Sequence, residues 1–211
     1  LLSSGASIAE IKEEVNSDIK RFSEGFDYYT EKLEYNLNID FDGRTVVGDN
    51  PYDINEIPYG NGNPHNRVED EAHATHVAGI IGAVRNNGIG MDGVANNVAI
   101  MSIRAVPNGD EYDKDIALGI RYAVDNGAKV INGSFGKSFS PNAEWVYDAI
   151  KYAASKDVLF VHAAGNDGLN LDDLKNSNFP NDQVKNGPEI ADNVITVGAI
   201  GEDYGAEMVT S

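Results

Sequence analysis

The chain has 211 residues, 41% of them hydrophobic, with no cysteine and a net charge of −18 from 16 Lys+Arg against 34 Asp+Glu. That length can bury a full-sized core in one domain, and the acidic balance, uninterrupted by any basic cluster, excludes nucleic acid and anionic lipid surfaces as partners. Without cysteine there are no disulfides and no thiolate metal sites, and no apolar stretch approaches the roughly 18 residues of a membrane-spanning helix.

In chain order, Ser7 followed by Glu10 forms a capping-box signature, and Ile8, Ile11, Val15, Ile19 and Phe22 recur every three or four residues. This predicts a helix over 7–36, broken at Gly25. From Asn38 to Arg67 the chain dissolves into Asp, Asn, Gly and Pro, residues that favour turns over any repeating structure, so a long surface excursion is expected. Four segments are then short, β-rich and apolar on both faces: 98–106, 129–135, 158–165 and 194–200. Buried parallel strands have that pattern, and the amphipathic stretches 115–127 and 141–156 between the first three are long enough for crossover helices. The expected fold class is therefore α/β, with a mainly parallel sheet flanked by helices.

Two histidines, His73 and His76, stand three apart in Asp70-Glu71-Ala72-His73-Ala74-Thr75-His76-Val77-Ala78-Gly79, where an apolar helix begins. They are open to three readings: a metal pair, two hydrogen-bonded core residues, or a general base with a neighbour. The zincin pattern requires histidines four apart with a glutamate between them, and it is absent. In open α/β sheets, sites gather at the carboxyl ends of the strands. Strand 158–165 runs into Gly165-Asn166-Asp167-Gly168, where the Asn166 amide is placed to donate to developing oxyanion charge or simply to shape a turn. Strand 129–135 ends in Ser134-Phe135-Gly136, an extended edge able to pair with a peptide backbone.

The block His73-Ala74-Thr75-His76-Val77-Ala78-Gly79 resembles the His-Gly-Thr-His-Val-Ala-Gly segment of subtilisin-like serine proteases. It is followed in the order of that family by Asn87-Gly88-Ile89-Gly90-Met91-Asp92-Gly93-Val94-Ala95, by Gly127 to Gly136, and by Val161-His162-Ala163-Ala164-Gly165-Asn166. The resemblance implies a three-layer subtilisin-like fold and a serine endopeptidase that hydrolyses polypeptides through an acyl-enzyme. It assigns His73 as general base, Asn166 as oxyanion donor, and Ser134, Phe135, Gly136 and Gly165 as substrate-binding positions, with His76 facing the core. It implies no catalytic metal and no required cofactor. In family members a loop such as Asn87, Ile89, Met91 can hold a structural calcium ion through oxygen ligands.

Serine catalysis also needs a nucleophile and an acid that orients the histidine. The family's Asp-Ser/Thr-Gly and Gly-Thr-Ser-Met-Ala blocks are not in the sequence. Asp49, in Val46-Val47-Gly48-Asp49, lacks the strand context of the acid, and Thr210-Ser211 lacks that of the nucleophile. The expectation is an internal portion of a subtilase: residues 1–68 a helical and loop insertion packed on the catalytic domain, residues 69–211 a partial catalytic domain. Its alternative is a non-catalytic relative that binds peptides by strand addition. Family habit points to an extracellular or periplasmic location. Two departures from the family pattern stand out. Ala74 adds a methyl after the base, and Gly133 replaces a frequent methionine, leaving a strand with less side chain to pack.

Overall fold

The computed structural model of the protein describes residues 7–65, 71–106, 109–173, 175–184 and 187–200; Thr210 and Ser211 lie outside them. The chain divides into two units. One contains residues 1–43 and 107–110, the other residues 44–106 and 111–211. Residues 44–65, read from the sequence as part of an insertion, thus group with the second unit.

The first unit is built on α1 (Ile8–Glu31), whose start is the expected capping box: the Ser7 hydroxyl accepts from Glu10 N–H, and the Glu10 carboxylate accepts from Ser7 N–H. The helix runs through Gly25 without breaking, because the roughly 1 kcal/mol that glycine costs in a helix interior is too little to interrupt 24 residues of continuous hydrogen bonding. It then loosens into a π-helical turn, Lys32–Asn36, where Leu37 N–H bonds the Lys32 carbonyl, and the Asn36 amide donates to Asp110 at 2.5 Å.

In the second unit, α2 (Arg44–Val47) and α3 (His73–Gly82) precede α4 (Asp113–Asp125), β1 (Val130–Gly133), α5 (Ala143–Ser155), β2 (Leu159–Ala163) and β3 (Val194–Val197). The strands form one parallel sheet in the order β1-β2-β3, with Ile131, Phe160 and Val194 in register and Gly133 opposite His162. α4 and α5 pack together over the face carrying those residues. Their core includes Ile116, Ala117, Ile120, Val146, Ala149, Ile150, Ala153 and Phe160, all buried. Each large aliphatic or aromatic side chain removed from water there contributes about 1.5–3 kcal/mol. On the opposite face Val130, Ile195 and Val197 are exposed.

Segment 98–106 departs from expectation. It forms no strand ladder among the described residues, and Val98, Ile100, Met101 and Ile103 stay substantially exposed. It lies beside helices instead: Val98 and Ile100 approach Gly82 of α3, and Ile103 and Ala105 approach Gly119 of α4. An apolar run has the composition of a strand wherever it lies, but a ladder also needs a neighbour in hydrogen-bonding register.

Gly133 does not leave the sheet underpacked. A Cβ there would stand 2.9 Å from Phe160 Cζ and 3.4 Å from Phe135 Cζ, so the missing side chain is replaced by two aromatic rings. Ala74 and His76 are exposed on α3, and His76 is not core-facing, because none of the residues of this helix is buried.

Candidate active site

His73 is the first residue of α3, and its exposed imidazole reaches the carboxyl end of β1, where Nε2 lies 3.1 Å from the Ser134 carbonyl. A carbonyl oxygen only accepts, so Nε2 carries a proton in this arrangement. Service as a base through Nε2 therefore requires the ring to give up Ser134 first. Glu71, two residues earlier, pairs with Arg104, whose guanidinium also donates to the His65 carbonyl at 2.7 Å and so ties the approach to α3 to the preceding loop.

Asn166 follows β2 by three residues, on an exposed turn entered through Gly165, whose φ of +92° is a conformation that a side chain disfavours. Because β1 and β2 are parallel neighbours, Ser134, His73 and Asn166 gather at the same end of the sheet. The Ser134 hydroxyl accepts from the Asn132 amide at 2.8 Å. The segment Ser134-Phe135-Gly136 is bounded beyond Gly136 by a pair of backbone bonds between Lys137 and Phe179, at 3.0 and 2.8 Å. Lys137 Nζ also reaches the Asp113 carboxylate at 2.9 Å, which accepts from the Ser140 hydroxyl and the Asn142 N–H as well.

The sequence reading missed two features. The first is His162, an inward-facing residue of β2, 2% exposed, whose Nε2 lies 2.8 Å from the Phe135 carbonyl. Burial holds its pKa below the ordinary imidazole value, against an opposing pull from that hydrogen bond, so the ring is neutral. Its signal in the sequence was a titratable residue in the middle of the apolar strand Val158-Leu159-Phe160-Val161-His162.

The second is a buried charge cluster. The Asp49 carboxylate, fully buried, accepts from Arg44 Nε and NH2 at 2.7 and 2.8 Å and from Lys114 Nζ at 2.7 Å. Arg44 forks onward to Asp115 at 2.6 and 3.0 Å, and the Tyr59 hydroxyl donates to Asp115 at 2.5 Å. Burial pushes the Asp49 carboxyl up, but the bonds from Arg44 and Lys114 outweigh it and hold the group below the usual carboxylate range. Its oxygens are committed to these cations, and that is why Asp49 orients no histidine. Loop 87–92 closes on itself: the Asn87 side-chain oxygen accepts from Ile89 N–H, and Asp92 accepts from Asn86 N–H. Among the described residues no group of three or more His, Asp or Glu side chains is arranged to hold a metal ion.

A parallel α/β unit with polar side chains collected at the carboxyl ends of adjacent strands defines the class of protein: one whose site is built on strand termini and a helix head. Residues 18–210 match the subtilase family (peptidase S8), and the chain belongs to that family. It is 36% identical over 162 residues to a thermophilic serine proteinase of Bacillus sp. (strain AK1), covering 76% of this chain and 34% of that protein. It is 38% identical over 130 residues to thermitase of Thermoactinomyces vulgaris, covering 61% and 43%. Over 110 residues it is 46% identical to a cell wall-associated protease of Bacillus subtilis (strain 168), covering 52% and 12%. The chain thus spans less than half the length of these relatives. Among solved structures, Sphericase superposes with a TM-score of 0.50 at 31% identity, over 61% of this chain and 39% of that one.

Proposed function

We propose that this chain supplies the general-base and oxyanion portions of a subtilisin-type serine endopeptidase. Family membership supports the reaction class, and the observation that carries the residue assignment is the contact of the His73 ring with Ser134 at the carboxyl end of the sheet, the end that also holds Asn166. Released from Ser134, the His73 imidazole takes the proton of a serine nucleophile that attacks the scissile carbonyl. The Asn166 amide donates to the resulting oxyanion; the adduct collapses with cleavage of the peptide C–N bond as His73 passes that proton to the leaving amine, and water then resolves the acyl-enzyme. Ser134, Phe135, Gly136 and Gly165 align the polypeptide by backbone pairing. The nucleophile and the orienting acid come from elsewhere in the protein, with residues 1–68 inserted between the acid and base blocks. Relatives named extracellular or cell wall-associated support export. The Asn87 loop is a calcium position only by analogy with the family.

The test uses the full-length protein that carries this chain. It is expected to hydrolyse unstructured polypeptides and to be labelled by a fluorophosphonate; His73→Ala abolishes hydrolysis, and Asn166→Ala lowers kcat about 10²–10³-fold. Residues 1–211 alone are expected to do neither, and hydrolysis with labelling of that isolated chain overturns the assignment. A full-length protein that binds peptides without labelling or turnover is instead a strand-adding binder.

A further inference from the structure

We propose that His162 is a positioning residue for the peptide-binding edge: its buried Nε2–H holds the Phe135 carbonyl and so fixes Ser134-Phe135-Gly136 in the conformation that receives substrate. The inference rests on the assignment of that segment as the substrate edge. The β1–β2 ladder ends at the pair Gly133 and His162, so the next three residues of the chain leave the sheet just where a peptide has to find them in a defined place. The side chain of His162 continues what the backbone stops doing. From within β2 it reaches past the end of the ladder to the Phe135 carbonyl at 2.8 Å, while the Ser134 carbonyl faces His73. Two successive carbonyls are thus held by imidazoles from different elements.

The grip of His162 is rigid because the ring is. It stacks on Phe160, with centroids 6.2 Å apart and planes 11° from parallel, and meets Phe135 edge-on at 6.3 Å and 62°. Since the Phe135 carbonyl is an acceptor, the proton sits on Nε2, and a neutral ring in a dry setting keeps that donor without the cost of a buried charge. Close packing on the far side completes the seat: a Cβ at Gly136 would lie 2.6 Å from Asn178 Oδ1 and 3.5 Å from His162 Nε2, and the Asn178 amide is itself anchored to the Ala163 carbonyl at 2.8 Å. Gly136 is therefore hemmed in beside the His162 ring, with no room for a side chain.

The experiment compares His162→Phe, which keeps a ring and removes the donor, with His162→Gln, which restores an N–H, in the full-length protein. Losing one fixed hydrogen bond behind the edge is expected to raise KM for a peptide substrate about tenfold with kcat changed less than threefold, and Gln recovers part of that loss. Hydrogen exchange read at residues 134–137 is expected to quicken about tenfold in His162→Phe while α5 stays protected. Unchanged exchange at 134–137 in a folded His162→Phe variant, or an equal fall of kcat and kcat/KM with KM constant, overturns the positioning role. If exchange quickens as expected but the wild-type protein neither binds nor cuts peptides, the assignment of the substrate edge is what has failed. Should His162→Phe fail to fold, the Gln variant alone decides, because a weaker donor in the same place still has to raise KM and local exchange.

Discussion

Helices α1 and α5 read alike in the sequence, and the fold treats them in opposite ways. Both repeat apolar residues at helical spacing. In α5 that face is buried as Val146, Ala149, Ile150 and Ala153, whereas in α1 Ile8, Val15, Ile19, Phe22 and Phe26 remain largely exposed. Periodicity specifies a helix and a stripe, but it is silent on whether anything covers the stripe. Where a partner is supplied, by α4 and β2 for α5, the stripe becomes a core; in α1 the stripe stays exposed.

That contrast can be broken most forcefully away from both helices, at Asp49. Replacing it by alanine leaves the fully buried Lys114 ammonium with no carboxylate and only the Asn50 carbonyl at 3.0 Å, while Arg44 keeps Asp115, and the second unit is expected to lose about 3–5 kcal/mol in chemical denaturation. The same contact gives a pH dependence of definite sign. The folded carboxyl titrates below its ordinary value of 3.8, so its contribution is complete above that pH and is lost as acid carries the pH down through the lowered value. A stability profile flat from neutrality to mild acid, dropping only below it and absent in Asp49→Asn, checks this.

Next in size is Ile150→Ala, which opens a cavity at a fully buried position and is expected to cost about 3 kcal/mol, seen as a lower denaturation midpoint. Ser7→Ala, removing the cap of α1, is expected to cost about 1 kcal/mol, measured as earlier fraying of residues 8–12 by hydrogen exchange. Phe22→Ala should change stability by less than about 0.5 kcal/mol despite deleting a larger side chain than Ile150→Ala does, because its ring is 70% exposed. A large loss from Phe22→Ala would show that α1 is covered after all, and the comparison would fall.

Much of the fold was legible because its signals are local. The Ser7–Glu10 box, the helical repeats of α4 and α5, and the short apolar runs of β1, β2 and β3 each sit within a few residues of their cause. The resemblance of four ordered blocks to subtilases carried the family, and His73, Ser134 and Asn166 do gather at one end of the sheet. The readings that failed depend on distant partners. Segment 98–106 has the letters of a strand and no ladder among the described residues, and His76 has an apolar neighbourhood in sequence and an exposed one in space.

By itself the sequence determined the capped start of α1, the helical repeats of α4 and α5, the apolar runs of β1, β2 and β3, and the family, since these follow from caps, periodicity and motif spacing within a few turns of chain. Only the tertiary structure decided which apolar faces are covered, that Phe160 and Phe135 fill the space above Gly133, that Arg44, Asp49, Lys114 and Asp115 neutralise one another, and that His162 reaches the Phe135 carbonyl. The physical reason is range. Local backbone preferences act between near neighbours, whereas burial, ion pairing and side-chain hydrogen bonds act between whichever groups the finished fold brings within a few ångströms.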